Sequence, residues 1–320
     1  MREVGGVMAS KNGYQAVTVA AVVATILLIA MGSIVRTTGS GLGCPDWPLC
    51  HGSVVPPWER TAIIEWGHRT LAAVVGLLIL GVASWTVWRA RRSRATLVAV
   101  VVVALLVFQA YLGRETVRRE LPPELVATHL ATALALTALL VWVAVRAHDL
   151  GHADAHRAPM GALVAGSVAL AAIAIALVML AGAFVVSNGA GLACSTWPGC
   201  AEAAIPWSDG GRTQDIQWIH RGVVAVGAFA VVLQFAMVRR ADPPTLLRRL
   251  SLLLIALYAA QVLVGASSIW LDLATVTRVF HLTLGSTTWV VAVWLVTGVW
   301  PVDDRSVAPR SPGRPLGKAL

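Results

Sequence analysis

Four histidines stand out by type and by spacing. His68 lies in Glu65-Trp66-Gly67-His68-Arg69 and His220 in Gln217-Trp218-Ile219-His220-Arg221, 152 positions apart. Each is followed 61 positions later by another histidine, His129 and His281. All four fall where a polar segment gives way to an apolar run, so each is expected at the start of a helix. One histidine in such a place is more often a hydrogen-bonded interior residue than a ligand, but four at repeated spacing point to ligation. Two imidazoles facing each other across a bundle suit the two axial positions of a haem iron. Zinc would call for a third or fourth ligand, and no further cysteine or carboxylate recurs beside both pairs.

The neighbours of these histidines carry their own chemistry. Arg69 and Arg221 directly follow two of them, and Arg278 lies one turn before His281. A guanidinium fits a carboxylate well, which makes all three candidate contacts for haem propionates. The alternative is an interfacial arginine reaching for headgroups. Upstream of each pair is a loop with two cysteines separated by five residues, Cys44/Cys50 and Cys194/Cys200. Disulfides are the expected state for such pairs on the outer side of a membrane, with a redox-active thiol pair as the alternative for Cys44 and Cys50. Glu65, one turn before His68, becomes Gln217 before His220. Only the first half therefore has a carboxylate beside its candidate iron site, able to move protons or stabilise a cationic intermediate. The bland reading of Glu65 is a favourable charge in a first helical turn. His51 has no repeat partner, and Trp47 and Trp197 read as loop or interface anchors. His148, His152 and His156, beside Asp149 and Asp154, read as a solvated linker rather than a metal site.

The elements that must position these groups are membrane helices. Hydrophobic residues make up 57% of the 320-residue chain and charged residues 13%, where a soluble domain would carry about 25% charged. Continuous apolar runs of about 20 residues indicate helical spans, expected near 15–35, 66–88, 95–113, 125–147, 160–186, 217–238, 246–268 and 279–300. The first run is long, lacks a small-residue cleavage site and has a repeat partner near Met160 to Val186, so it reads as a retained span and not a signal peptide. The net charge of +9 comes from short basic clusters between spans, such as Arg89, Arg91, Arg92 and Arg94, or Arg239, Arg240, Arg248 and Arg249. That distribution marks topology and not nucleic-acid binding. It places both termini in the cytoplasm and the cysteine loops and histidines outside.

The halves repeat in parallel. Gly41-Leu42-Gly43-Cys44 and Trp47-Pro48 return as Gly191-Leu192-Ala193-Cys194 and Trp197-Pro198, while Gln109 and Gly113 return as Gln261 and Gly265. Four helices per half leave both halves in the same orientation. The expected fold is an all-α integral membrane protein of eight transmembrane helices, arranged as two tandem four-helix bundles related by a pseudo-twofold axis along the membrane normal. Its parts are a cytoplasmic segment 1–14, a first bundle 15–147, a linker 148–159, a second bundle 160–300 and a disordered tail 301–320.

Taken together, the eight spans, Glu65-Trp66-Gly67-His68-Arg69, Thr128-His129, Trp218-Ile219-His220-Arg221 and Phe280-His281 resemble the haem A synthase family, over residues 15 to 300. The paired-cysteine loops match its bacterial form. The resemblance implies oxidation of the haem O C8 methyl group to a formyl group through hydroxylated intermediates, in support of cytochrome oxidase assembly. It implies that His220 and His281 hold a haem b cofactor, that His68 and His129 lie at the substrate haem, and that Glu65 is the essential carboxylate. It also implies disulfides Cys44–Cys50 and Cys194–Cys200, the first pair with a part in handling the substrate haem. Haem O, an oxygen source (molecular oxygen or water) and an electron donor are the implied partners, with the haem O synthase a further candidate, a homo-oligomer expected, and the bacterial cell membrane the location. The residues alone leave two rivals. One is a bis-histidine cytochrome b that only transfers electrons; the other is a haem carrier without turnover.

Overall fold

A computed structural model describes residues 2–89, 94–149, 160–200 and 211–300. In chain order the helices are α1 Arg2–Thr37, α2 Arg60–Arg89, α3 Arg94–Arg118, α4 Pro123–Asp149, α5 Ala162–Ser187, α6 Gly211–Arg240, α7 Thr245–Trp270 and α8 Thr275–Val299. One 3-10 turn, Ala190–Leu192, follows α5. All eight helices are long and apolar enough to cross a membrane, and among the described residues no strand forms. The physical reason is that hydrocarbon offers the backbone no partner, so a span must satisfy its own N–H and C=O groups. The protein is a multi-pass, all-helical membrane protein.

The helices overrun the expected spans at several ends. α2 begins at Arg60, six residues before the expected start near Trp66, and α6 at Gly211 instead of near Gln217. α3 continues through Arg118, so Arg114, Glu115 and Arg118 are helical rather than part of a loop 114–124, and Arg119 opens the turn that follows. There Glu115 pairs with Arg114 at 2.8 Å, Arg118 at 3.3 Å and Arg119 at 3.1 Å. α1 includes residues 2–12, which were expected as a separate segment. Hydropathy ends at the membrane boundary, whereas helical hydrogen bonding continues into polar sequence wherever capping and side-chain pairs sustain it. The four histidines therefore lie about two turns inside their helices, not at the first residue. His152, His156 and the 301–320 tail lie outside the described residues, as does the side chain of His148.

Consecutive helices close into two sets. α1 packs on α2 and α4, and α3 on α2 and α4; in the second set α5 packs on α6 and α8, and α7 on α6 and α8. Each set has a core, and that of the first set takes in Val293 of α8. Val75, Ile79, Val102, Leu136 and Leu140 anchor the first, and Val168, Val231, Leu247, Leu254 and Leu295 the second. Val75 and Leu136 stand two turns inward of His68 and His129, so apolar packing fills the bundle below the histidines. Outward-facing Leu77, Val226 and Phe229 are about two-thirds exposed and form part of the surface that lipid covers.

The sets meet through α1 on α8, α4 on α8 and α4 on α5. Polar contacts reinforce this seam at both ends. Arg36 Nη2 donates to the Val186 carbonyl at 2.8 Å, Arg278 Nη2 to the Thr37 carbonyl at 3.3 Å, and Arg146 Nη2 to the Trp300 carbonyl at 2.9 Å. Midway, the Trp289 indole N–H crosses from α8 to the Leu134 carbonyl on α4 at 2.9 Å.

Candidate haem site

Cys44 and Cys50 are joined as a disulfide with Cα atoms 4.6 Å apart, and Cys194 and Cys200 likewise at 4.5 Å. Each disulfide loop is fastened to the helix carrying its histidine. In the first half, Glu65 accepts the Cys44 backbone N–H on Oε2 at 2.8 Å and the Arg69 guanidinium on Oε1 at 2.6 Å. Arg69 also donates to the carbonyls of Asp46 at 2.7 Å, Leu49 at 2.8 Å and Cys44 at 2.7 Å. Asp46 closes the far turn, accepting from the backbone N–H groups of His51 at 2.6 Å and Gly52 at 2.8 Å. Those bonds, Gly52's first, hold the Asp46 carboxyl below its ordinary pKa. His51, in a left-handed backbone conformation, reaches back to the Gly43 carbonyl at 2.9 Å.

The second half repeats this latch without the charge. Gln217 Oε1 accepts the Cys194 N–H at 2.5 Å, and its Nε2 donates to the Gly191 carbonyl at 2.8 Å. Arg221 donates to the carbonyls of Pro198 at 3.1 Å, Gly199 and Cys194 at 3.4 Å. Carboxylate and amide thus occupy the same place and hold the same N–H. What differs is that Glu65 is ionisable, 3% exposed and paired with an arginine one turn away on its own helix. Arg69, Arg221 and Arg278, singled out for propionates, each hold backbone carbonyls; Arg278 keeps a buried Nε without a partner.

In the first half His68 on α2 and His129 on α4 stand near the outer ends of two helices that lie diagonally across the set, both packed on α1 and α3, and His220 on α6 and His281 on α8 stand likewise across α5 and α7 in the second. In all four rings Nδ1 is buried without a hydrogen-bond partner, while Nε2 is not enclosed in this way. Among the described residues no group of three or more His, Cys, Asp and Glu side chains could hold a metal ion. Two imidazoles per half, with Nε2 free, form a donor set that fits a porphyrin iron, whose macrocycle supplies the other four nitrogens. Haem of this kind would be held by His68 with His129 and by His220 with His281.

Gln109 and Gln261 were visible in the repeat but without a role. Their Nε2 atoms donate to the backbone carbonyls of His129 at 2.9 Å and His281 at 2.8 Å, bracing the turn that carries each histidine. Thr132 donates to Gln109 Oε1, whereas the corresponding Gln261 Oε1 is buried without a partner. Trp197 packs edge-on against Trp270 at 5.9 Å, and Trp47 is 45% exposed.

Fold and site together define a helical membrane protein with a duplicated histidine pair, each pair beneath a latched disulfide loop. Comparison with known proteins narrows this class. Residues 15–293 match the COX15-CtaA family, described as cytochrome oxidase assembly protein. The chain is 32% identical over 302 residues to a haem A synthase of Symbiobacterium thermophilum, covering 92% of this chain and 98% of that one. It is 28% identical over 301 residues to a haem A synthase of Shewanella oneidensis, covering 82% and 86%, and 29% identical over 221 residues to one of Bacillus licheniformis, covering 67% and 72%. The chain belongs to the haem A synthase family of cytochrome oxidase assembly proteins.

Proposed function

We propose that this chain is a haem A synthase, a membrane oxidoreductase that converts haem O to haem A for cytochrome oxidase. Its relatives are named for that activity. The reaction takes the C8 methyl group through hydroxylated intermediates to a formyl group. The methyl carbon is oxidised at each step: molecular oxygen can serve as both oxidant and oxygen source, its second atom leaving as water, whereas with water as the oxygen source the electrons pass to an external one-electron acceptor and the protons to solvent. His68 and His129 hold the substrate haem, and His220 and His281 hold a haem b that supplies one-electron chemistry when bound. The first disulfide loop, tied down by Glu65 and Arg69, covers the substrate end and limits water there. The outer side of the membrane is the side of both loops, with the termini in the cytoplasm, in keeping with the basic clusters after α2 and between α6 and α7.

One observation carries the division of labour: the two latches match, yet only the first contains a carboxylate. An amide is sufficient to hold a cysteine loop, as Gln217 demonstrates. A carboxylate in the first half therefore does something beyond holding it, and proton transfer or charge stabilisation near the substrate is what a carboxylate adds.

The test is co-expression with a haem O producer, followed by haem extraction and chromatography, comparing wild type with Glu65→Gln. Haem A in the wild type is expected, with haem O or a hydroxylated intermediate accumulating in a folded Glu65→Gln protein. Haem A at wild-type level in Glu65→Gln would reduce Glu65 to a latch. Haem b alone in both proteins, at about two per chain as expected for a pair of bis-histidine sites, would leave the electron-transferring cytochrome.

A further inference from the structure

Each of the four histidines presents its Cε1 edge to a glycine on the helix immediately before its own. A Cβ placed on Gly32 of α1 would lie 3.3 Å from Cε1 of His68, and one on Gly113 of α3 would lie 3.4 Å from Cε1 of His129. In the second half, Gly182 of α5 stands in the same relation to His220 at 3.3 Å, and Gly265 of α7 to His281 at 3.0 Å. Gly32 and Gly182 are 150 positions apart, the offset of the cysteine loops; Gly113 and Gly265 are 152 apart, the offset of the histidines. Alanine is the better helix former, so a glycine inside a helix needs a packing reason. Gly81 and Gly166, also helical, have nothing within 4 Å of a built Cβ and show that glycine alone does not produce the contact.

We propose that Gly32, Gly113, Gly182 and Gly265 are the positioning residues of the four histidines: each leaves bare backbone against one imidazole edge, and so fixes the depth and rotation at which that ring offers Nε2. This rests on the reading that the histidines hold haem iron. Cε1 is the atom between the two ring nitrogens, so a wall there limits both the approach of the ring to the neighbouring helix and its rotation about χ2. With Nδ1 buried and without a hydrogen-bond partner in all four rings, no polar contact sets the orientation, which is the usual device for a ligating histidine. Backbone packing takes that place here. Contacts of 3.0–3.4 Å are tighter than nine in ten real Cβ contacts, so a methyl group at these positions displaces ring or helix by a few tenths of an ångström.

The experiment uses the full chain in detergent, loaded with haem b, and reads the low-spin ferric spectrum by electron paramagnetic resonance alongside haem retention. Gly265→Ala is expected to alter the low-spin signal and weaken retention by about tenfold, the scale seen when a ligand's orienting partner is lost. Gly32→Ala and Gly182→Ala should follow, and Gly113→Ala should do least, while Gly81→Ala and Gly166→Ala leave the spectrum unchanged. A second reading needs no haem. In thermal unfolding, Gly265→Ala should lower the midpoint of the wild type but not of His281→Ala, because the ring it strikes is gone. Recovery of folding in the double variant, should Gly265→Ala alone fail to fold, supports the same contact. A folded Gly265→Ala with a wild-type spectrum overturns the proposal, as does an equal effect from Gly166→Ala. Absence of any bis-imidazole signal in the wild type overturns the ligand assignment first, and the glycine roles with it.

Discussion

Arg69 holds three carbonyls of the disulfide loop and the Glu65 carboxylate with one planar group. Its side chain is 16% exposed and that of Glu65 is 4% exposed, so removing the guanidinium leaves a nearly buried carboxylate unpaired. Arg69→Ala should cost on the order of 3 kcal/mol. Arg69→Lys should cost about 1–2 kcal/mol, because a single ammonium cannot reproduce the fork. Arg221→Ala should cost less than Arg69→Ala, since Gln217 bears no charge to strand. Thermal unfolding of the three variants checks this, and equal losses for Arg69→Ala and Arg221→Ala would show that the carboxylate is not what makes Arg69 matter. At this scale the sequence singled out residues more readily than it showed what they touch. The four histidines and the Glu65/Gln217 difference were legible because each recurs, or fails to recur, at one fixed offset. The latch was not, because its acceptors are main-chain carbonyls, which carry no residue signature. The glycines at 113 and 265 were visible as repeats, but only a ring placed against them gives them a function.

Among the elements, the spans were legible because lipid demands long apolar runs, and the helix ends were not because polar turns extend them. Arg60 to Glu65 adds the turn of α2 that lets Glu65 reach the Cys44 N–H, and Gly211 to Gln217 adds its counterpart in α6. The loop between α1 and α2 is itself an element, organised by Asp46 as much as by the disulfide. Asp46 is held below its ordinary pKa by the N–H groups of Gly52 and His51. A carboxyl whose folded pKa is depressed contributes stability above its unfolded value, near 3.8, and loses it as pH falls through the lower folded value. Acidification below about pH 4 should therefore free the His51 and Gly52 amides while the disulfide remains intact. Hydrogen exchange after brief acid pulses would read this as faster exchange at those two amides, and Asp46→Asn should show fast exchange already at neutral pH. Unchanged protection in Asp46→Asn would assign the turn to the disulfide alone.

In the whole molecule, two helix sets must stay in register for the two histidine pairs to keep a fixed spacing, and Val293 of α8 already reaches into the core of the first set. Lipid supplies no hydrophobic drive between helices, so close packing and polar contacts must hold the seam. Trp289 is the residue that packs against both cores and also crosses the seam with its indole N–H. The repeat gives it no counterpart, since Thr137 stands 152 positions earlier, so the seam is asymmetric where the sites are alike. Trp289→Phe keeps most of the ring and loses one hydrogen bond, at a cost of about 1 kcal/mol. Trp289→Ala opens a cavity between the two cores and should cost about 3–5 kcal/mol. If the seam couples the sets, the wild type and Trp289→Phe should melt in one transition and Trp289→Ala in two, with the arginine contacts at the ends too weak to restore cooperativity. Calorimetry in detergent distinguishes these outcomes. A single transition in Trp289→Ala, shifted down but undivided, would move the coupling to the helix surfaces of α1, α4, α5 and α8, and leave Trp289 as packing within them.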